Sequence, residues 1–157
     1  KLSRFDYAAF VKEMLEDMQS MCQDGQILDW KIDAKNTEII SDLNILRNIS
    51  YNLLTNAIKY SKEGQTIIYH STVTDNELTL TVQDAGIGIP EHEQKLLFSR
   101  FFRAKNATNI KGTGLGLTIV KSYLDMLDGT ITFTSEENKG TTFIVTIPLN
   151  KTMPDYE

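Results

Sequence analysis

Cysteine, proline and surplus positive charge are all scarce in this sequence, and each scarcity excludes something. A single cysteine, Cys22, leaves no partner for an intrachain disulfide, and that usage is compatible with a reducing compartment. Three prolines among 157 residues exclude a proline-rich, disordered composition. Acidic side chains outnumber basic ones 21 to 16, for a net charge of −5, so a basic nucleic-acid footprint has no support. Any cation serving an anionic ligand has to be placed locally. No apolar run approaches the ~20 residues of a membrane-spanning helix, and no signal peptide opens the chain. The first residue is Lys1 rather than Met, so the chain is expected to be a piece of a longer protein, cytoplasmic in its own location, whose parent can carry membrane helices upstream.

What is present fits one ordinary globular domain, 41% hydrophobic and 24% charged, long enough to bury a full core. Asp6 is the expected N-cap of a helix from about Tyr7 to Cys22, where Phe10, Met14, Met18 and Met21 recur at helical spacing. Short strands are expected at Ile27 to Ile32 and around Ile39-Ile40, then a long helix from Leu43 to Tyr60, capped by Ser41 or Asp42 and ended by Glu63-Gly64. Two strands follow, Thr66 to Val73 and Leu78 to Val82, joined by a turn at Asp75-Asn76. Beyond a glycine loop come a short helix at Glu91 to Leu97, a polar and mobile stretch from Asn106 to Gly112, and a helix from Leu115 to Leu127. Strands Thr130 to Ser135 and Thr142 to Pro148 close the chain around the turn Asn138-Lys139-Gly140. Helices mixed with hairpins, without repeated strand-helix-strand units, predict an α+β fold: a two-layer sandwich of about five mixed strands packed on about three helices. Residues 5–150 are expected to form the domain, with 1–4 a residual linker and 151–157 a tail.

Three segments carry chemistry. In NISYNLLTNAIKYS, Asn48, Asn52 and Asn56 recur every four residues and Lys59 follows three later, all on one helical stripe. Asparagine is a mediocre helix former. The amide oxygens of Asn52 and Asn56 are hard, neutral donors suited to Mg²⁺, which shares its shell with water and substrate phosphate. Lys59 can meet a phosphate as a point charge. Taken alone, the stripe reads more readily as a solvated helix face with no ligand.

VQDAGIGIP places Asp84 at a strand end, before Gly86 and Gly88. A carboxylate on a pocket floor accepts a hydrogen bond from the exocyclic amine of adenine. Guanine presents an acceptor there, so Asp84 selects against it. A plain turn with an Asx cap is the simpler alternative. Further on, Phe98, Phe101 and Phe102 crowd before Arg103, as either core or lid. Gly112-Thr113-Gly114-Leu115-Gly116-Leu117 then opens an amphipathic helix, where backbone N–H groups can hold phosphate. The loop lacks the Lys-Ser/Thr ending of a P-loop and the third glycine and preceding strand of a dinucleotide fold.

Together these segments resemble a family. NLLTNAIKYS is similar to the N box of histidine kinases, DAGIGIP to the first glycine box, LFSRFFRA to the F box, GTGLGL to the second glycine box, and GTTF at Gly140 to Phe143 to a further glycine turn. All stand in the family's order. The resemblance implies a Bergerat-type ATP-binding sandwich of the group that includes gyrases and heat-shock chaperones, with ATP and Mg²⁺ as ligands. It implies Asn52 and Asn56 at metal and phosphates, Lys59 and Tyr60 beside them, Asp84 on adenine, and Gly86 and Gly88 shaping the wall. Arg103 is implied at the transferring phosphate, and Gly112, Thr113, Gly114, Leu115, Gly116 and Leu117 at the phosphates. Ala85 departs from the Asn or Thr usual after the aspartate, with little effect expected.

Relatives that hydrolyse ATP carry a glutamate base four residues before the magnesium asparagine. Asn52 stands there, and an amide cannot take a proton. The implied activity is therefore that of a protein-histidine kinase module, with catalytic residues Asn52, Lys59 and Arg103, whose acceptor histidine lies on a separate dimerisation domain of the same parent and whose phosphate passes on to a response-regulator receiver domain. The parent is expected to be a homodimer, and a monomer is compatible with the isolated piece. His70, in a strand, and His92, in PEHEQ, do not fit the acceptor motif. An ATP-sensing interaction module and an ATP hydrolase are the alternatives.

Overall fold

The computed structural model describes residues 1–99 and 116–154. Helix α1 (Tyr7–Gln19) starts where the Asp6 carboxylate accepts the Ala8 and Ala9 N–H groups, two donors that the first helical turn leaves without partners. Helix α2 (Leu43–Tyr60) starts the same way, with Asp42 accepting from Ile45 N–H at 3.0 Å. Helix α3 is described as Gly116–Met126. A 3₁₀ turn covers Glu91–Leu96, and the sequence expectation of a short helix there is met in this tighter form.

Among the described residues, seven strands accompany them. Five form one sheet in the order β2 (Ile27–Ala34), β4 (Thr66–Val73), β5 (Glu77–Asp84), β7 (Gly140–Pro148), β6 (Thr130–Glu136). Within this sheet of described strands β2 and β4 run parallel, and the β4–β5, β5–β7 and β7–β6 pairings are antiparallel. The remaining two, β1 (Ser3–Asp6) and β3 (Glu38–Ser41), pair with each other. No element is expected from the sequence at Ser3–Asp6, yet Ser3 and Arg4, expected in a linker, belong to β1.

The core follows from period-2 alternation on the strands and from one apolar arc on each helix. Ile67, Tyr69 and Val73 of β4, Leu78, Leu80 and Val82 of β5, and Phe143, Val145 and Ile147 of β7 are buried. They form one cluster with Val11 and Leu15 of α1, Ile49, Leu53 and Leu54 of α2, and Val120 and Leu124 of α3. Thr79, Thr81, Gln83, Thr142 and Ile144, on the other face of the same strands, are half-buried or exposed. This is the expected two-layer α+β sandwich.

Two polar devices fix α2 against the rest. Tyr7 Oη lies 2.7 Å from Ser71 Oγ and 3.3 Å from Tyr69 Oη, and Tyr69 Oη lies 2.8 Å from Ser50 Oγ. This buried hydroxyl chain joins α1, β4 and α2, and each member is partnered, as burial demands. At the far end of α2, Gln23 and Gln26 donate side-chain N–H groups to the carbonyls of Ile58 and Ser61, and Gln26 also reaches that of Lys62. These bonds satisfy carbonyls that the last helical turn leaves open.

Candidate functional site

Asn52 and Asn56 lie on the exposed-to-half-buried stripe of α2, opposite its buried arc. The Asn52 amide nitrogen donates to the Asn48 carbonyl at 2.8 Å. A carbonyl can only accept, so this bond fixes which end of the amide faces the helix, and Oδ1 turns outward. Gly116, the first described residue of α3, sits opposite. A Cβ built on it would lie 3.6 Å from Asn52 Oδ1, 3.6 Å from Asn56 Nδ2 and 3.7 Å from Asn56 Oδ1. The spacing placed the two amides on one stripe, and the start of α3 at Gly116 lies against both of them. Leu117 packs partly buried against the core, and Thr118 Oγ1 donates to the Phe98 carbonyl at 3.3 Å, tying α3 to the end of the 3₁₀ segment.

Lys59, one turn beyond Asn56, is exposed, and Tyr60 is half-buried. Tyr60 links the helix to the aspartate-glycine loop: its carbonyl accepts Ile87 N–H at 3.2 Å. A Cβ on Gly86 would stand 2.0 Å from that same oxygen, so no side chain fits at this crossing. Gly88 takes φ +65°, and a Cβ there would lie 2.0 Å from the Glu136 carbonyl. The resemblance implied a pocket wall at both glycines; their geometry shows a loop pressed between α2 and the β6–β7 hairpin.

Asp84 ends β5 and is 9% exposed. Its Oδ1 accepts Gly86 N–H at 2.9 Å, the Asx turn that the simpler reading anticipated. Burial pushes its carboxyl up to about 6, against the opposing pull of the Gly86 and Thr141 backbone N–H groups. A carboxylate has about four lone-pair sites, and these two bonds leave it further capacity to accept. A buried acid with unused acceptor capacity is what a ligand amine requires. From Asn52 to Tyr60 the helix rises about 12 Å, and at Tyr60 its backbone meets the loop that follows Asp84.

Arg103, Gly112, Thr113, Gly114 and Leu115, with Phe101 and Phe102, lie outside the described residues. His70 sits half-buried on β4 with Nε2 3.8 Å from Asp29, and His92 is exposed on the 3₁₀ turn. Sequence reasoning missed Ser135, Gln94 and the Thr141 N–H, which stand behind Asp84. Only the Gly140 turn hinted at them, because Thr141 meets Asp84 through the β5–β7 register, across more than fifty residues of chain.

The mixed five-stranded sheet packed with helices on one face is the architecture of the ATP-binding sandwich that the sequence led one to expect. Residues 41–151 match the family described as histidine kinase-, DNA gyrase B-, and HSP90-like ATPase, and the chain belongs to that family. It is 36% identical over 124 residues to the sensor protein RprX of Bacteroides fragilis, covering 76% of this chain and 24% of that protein. It is 32% identical over 156 residues to the autoinducer 2 sensor kinase/phosphatase LuxQ of Vibrio parahaemolyticus, covering 92% of this chain and 18% of that protein. The mycobacterial sensor histidine kinase MprB has a similar structure, with TM-score 0.78 and 26% identity over 94% of this chain and 98% of that one. The chain therefore spans about a quarter or less of the length of these two sequence relatives.

Proposed function

We propose that this chain binds Mg-ATP and donates the γ-phosphate to a histidine on a separate helical dimerisation domain of its parent, as the kinase module of a two-component signalling system. The carrying observation is the meeting of Asn52, Asn56 and Gly116, together with a buried Asp84 whose loop is bonded to the end of the same helix at Tyr60. In this reading Asp84 accepts the adenine amine, and the outward Oδ1 of Asn52 and the amide of Asn56 hold Mg²⁺ together with phosphate oxygens. Among the described residues no group of three or more His, Cys, Asp or Glu side chains is placed to hold a metal, so an amide-and-phosphate shell is the arrangement that these residues fit. When bound, the metal supplies charge neutralisation on the phosphates. Lys59 adds a mobile cation from α2, and Arg103 and the residues Gly112 to Leu117 are the proposed phosphate contacts.

Phosphoryl transfer depends mainly on positioning and charge stabilisation. With Asn52 where hydrolases carry a base, water lacks a proton acceptor and the nucleotide waits for a delivered imidazole. A receiver domain downstream and a parent homodimer belong to the same proposal, as does a cytoplasmic position for a domain in which, among the described residues, no helix is long and apolar enough to cross a membrane.

Radiolabelled ATP supplied with this chain and the parent's helical domain in trans should label that domain on histidine. Binding of ATP without transfer to it defeats the kinase reading and leaves the pocket standing.

A further inference from the structure

Ser135 is the most fully committed hydroxyl near the site, and nothing in the motif pattern singled it out. Its Oγ accepts Ile89 N–H at 2.8 Å, donates to the Gly140 carbonyl at 3.1 Å, and lies 2.8 Å from Thr141 Oγ1. A hydroxyl has one proton and two lone pairs. With the proton on Gly140, Thr141 must be the donor in the last contact, and every bonding site of Ser135 is used. Gln94 completes the arrangement by donating from Nε2 to the carbonyls of Ile89 and Ser135, each at 3.0 Å.

The consequence falls on the aspartate-glycine loop. Ile89 has its N–H held by Ser135 and its carbonyl by Gln94. Ile87 has its N–H held by the Tyr60 carbonyl and its own carbonyl by Asn138 N–H at 2.7 Å. The loop that starts at Asp84 is thus pinned from α2 on one side and from the β6–β7 hairpin on the other. Thr141, held by Ser135 through its hydroxyl, directs its own N–H at Asp84. One hydroxyl therefore sets both walls that locate the Asp84 carboxylate, the loop through Ile89 and the strand through Thr141. Asp84, Ser135, Gly140 and Thr141 also line one polar recess.

We propose that Ser135, assisted by Gln94, is a positioning residue for purine discrimination, which touches no ligand and fixes the distance between the Asp84 carboxylate and the Gly86–Ile89 wall. This rests on the reading of Asp84 as the adenine acceptor. Selection between an amine and a carbonyl on the purine needs the carboxylate held to a fraction of an ångström, because a loosened acid can turn or admit water to satisfy the wrong partner. The phosphate end, built from α2 and α3, does not depend on Ser135.

The test is competitive calorimetry with ATP, GTP and inorganic tripolyphosphate, each with Mg²⁺, on the wild type and on Ser135→Ala, Ser135→Thr and Gln94→Ala, with a thermal melt of each. Ser135→Ala should lower the preference for ATP over GTP by about tenfold, the scale of one lost hydrogen bond with its partners left unpaired, while tripolyphosphate affinity holds. Ser135→Thr, which keeps the hydroxyl, should restore the preference to within about threefold, and Gln94→Ala should erode it in the same direction. An unchanged ATP-to-GTP ratio in Ser135→Ala, or a parallel loss for all three ligands, overturns the positioning role. If Ser135→Ala does not fold, Gln94→Ala decides, and full preference in that variant overturns the role. A wild type without purine preference overturns the reading of Asp84 itself, and with it this inference.

Discussion

The Tyr60 carbonyl accepts the Ile87 N–H at 3.2 Å, and a methyl group on the adjacent Gly86 would lie 2.0 Å from that oxygen. The end of the asparagine helix and the wall of the base site are therefore in backbone contact, with no side chain between them to yield.

Gly86→Ala forces these backbones apart. The expected result is a loss of about 2 kcal/mol or more of stability, at the upper range of overpacking effects, together with weaker ATP binding. Chemical denaturation and calorimetry on the same preparation check both. A stable Gly86→Ala that binds ATP normally would show that the loop can move away from α2 without consequence.

Asn56→Ala separates metal from base. The carbonyl oxygen is lost while Asp84 and the loop stay in place, so ATP affinity measured with Mg²⁺ should fall by about tenfold or more, and affinity in chelator should change by less than about threefold. Equal losses with and without metal would remove Asn56 from the metal shell.

Asp84 predicts two pH dependences. Its carboxyl is raised to about 6 in the folded chain from an ordinary value of 3.8, so between those values the folded state holds more protons than the unfolded one. The contribution of this group to stability therefore grows as pH falls through 6 towards 3.8 and is lost as pH rises. Wild type should gain melting temperature relative to Asp84→Asn over that window. Binding runs the other way. The adenine amine donates to the ionised acid, so ATP affinity should drop about tenfold from pH 7 to pH 5, with proton release on binding near pH 6. Asp84→Asn should bind ATP weakly at every pH, because it can present a donor to the amine. Affinity for ATP in the wild type that rises on acidification would assign the neutral acid as the binding form.

The bounds of α2 and β4 were legible in the sequence to the residue, because both depend on local signals: an Asp42 cap, a 3.6-residue apolar period, and a β-branched and aromatic run from Thr66 to Val73 closed by the Asp75-Asn76 turn. Strand β1 was not legible. Ser3–Asp6 is a strand only because Glu38–Ser41 lies beside it, and four residues carry no period of their own. The site divides the same way. Asn52, Asn56 and Asp84 announce themselves by spacing and by adjacent glycines, whereas Ser135 and Thr141 reach the loop only once β5, β7 and β6 are in register. Gly86 and Gly88 were legible as glycines that matter, and Gly88 takes the positive φ that a glycine there allows; what the sequence could not show is that each makes room for a carbonyl from a distant element.

Gly116 gives a contrast to Gly86. A Cβ there meets Asn52 and Asn56 at ordinary contact distances of 3.6 Å, so Gly116→Ala should leave stability within about 0.5 kcal/mol or raise it slightly, since alanine favours helix. The added methyl nevertheless fills the space between the two amides and α3, where metal and phosphate are proposed to sit. Mg-ATP affinity should fall by about tenfold or more while the melting temperature holds. Undiminished affinity would move the phosphates away from this gap.

Asn52→Glu tests why the nucleotide is spared from water. The present amide is anchored to the Asn48 carbonyl through its nitrogen, with only its oxygen facing the gap towards Gly116. Glutamate cannot make that anchor, since it has no proton to give when ionised, and its longer side chain carries a base into the gap. A placed general base commonly contributes about 10²–10⁴ in rate. Even a poorly oriented one should raise steady-state ATP hydrolysis by the isolated chain about tenfold, and should lower transfer to histidine by diverting the phosphate to water. Phosphate release and histidine labelling, followed in parallel, read both branches. Hydrolysis that stays at the wild-type level, with ATP still bound, would mean that the attacking position lies elsewhere and that the identity of residue 52 does not separate kinase from hydrolase.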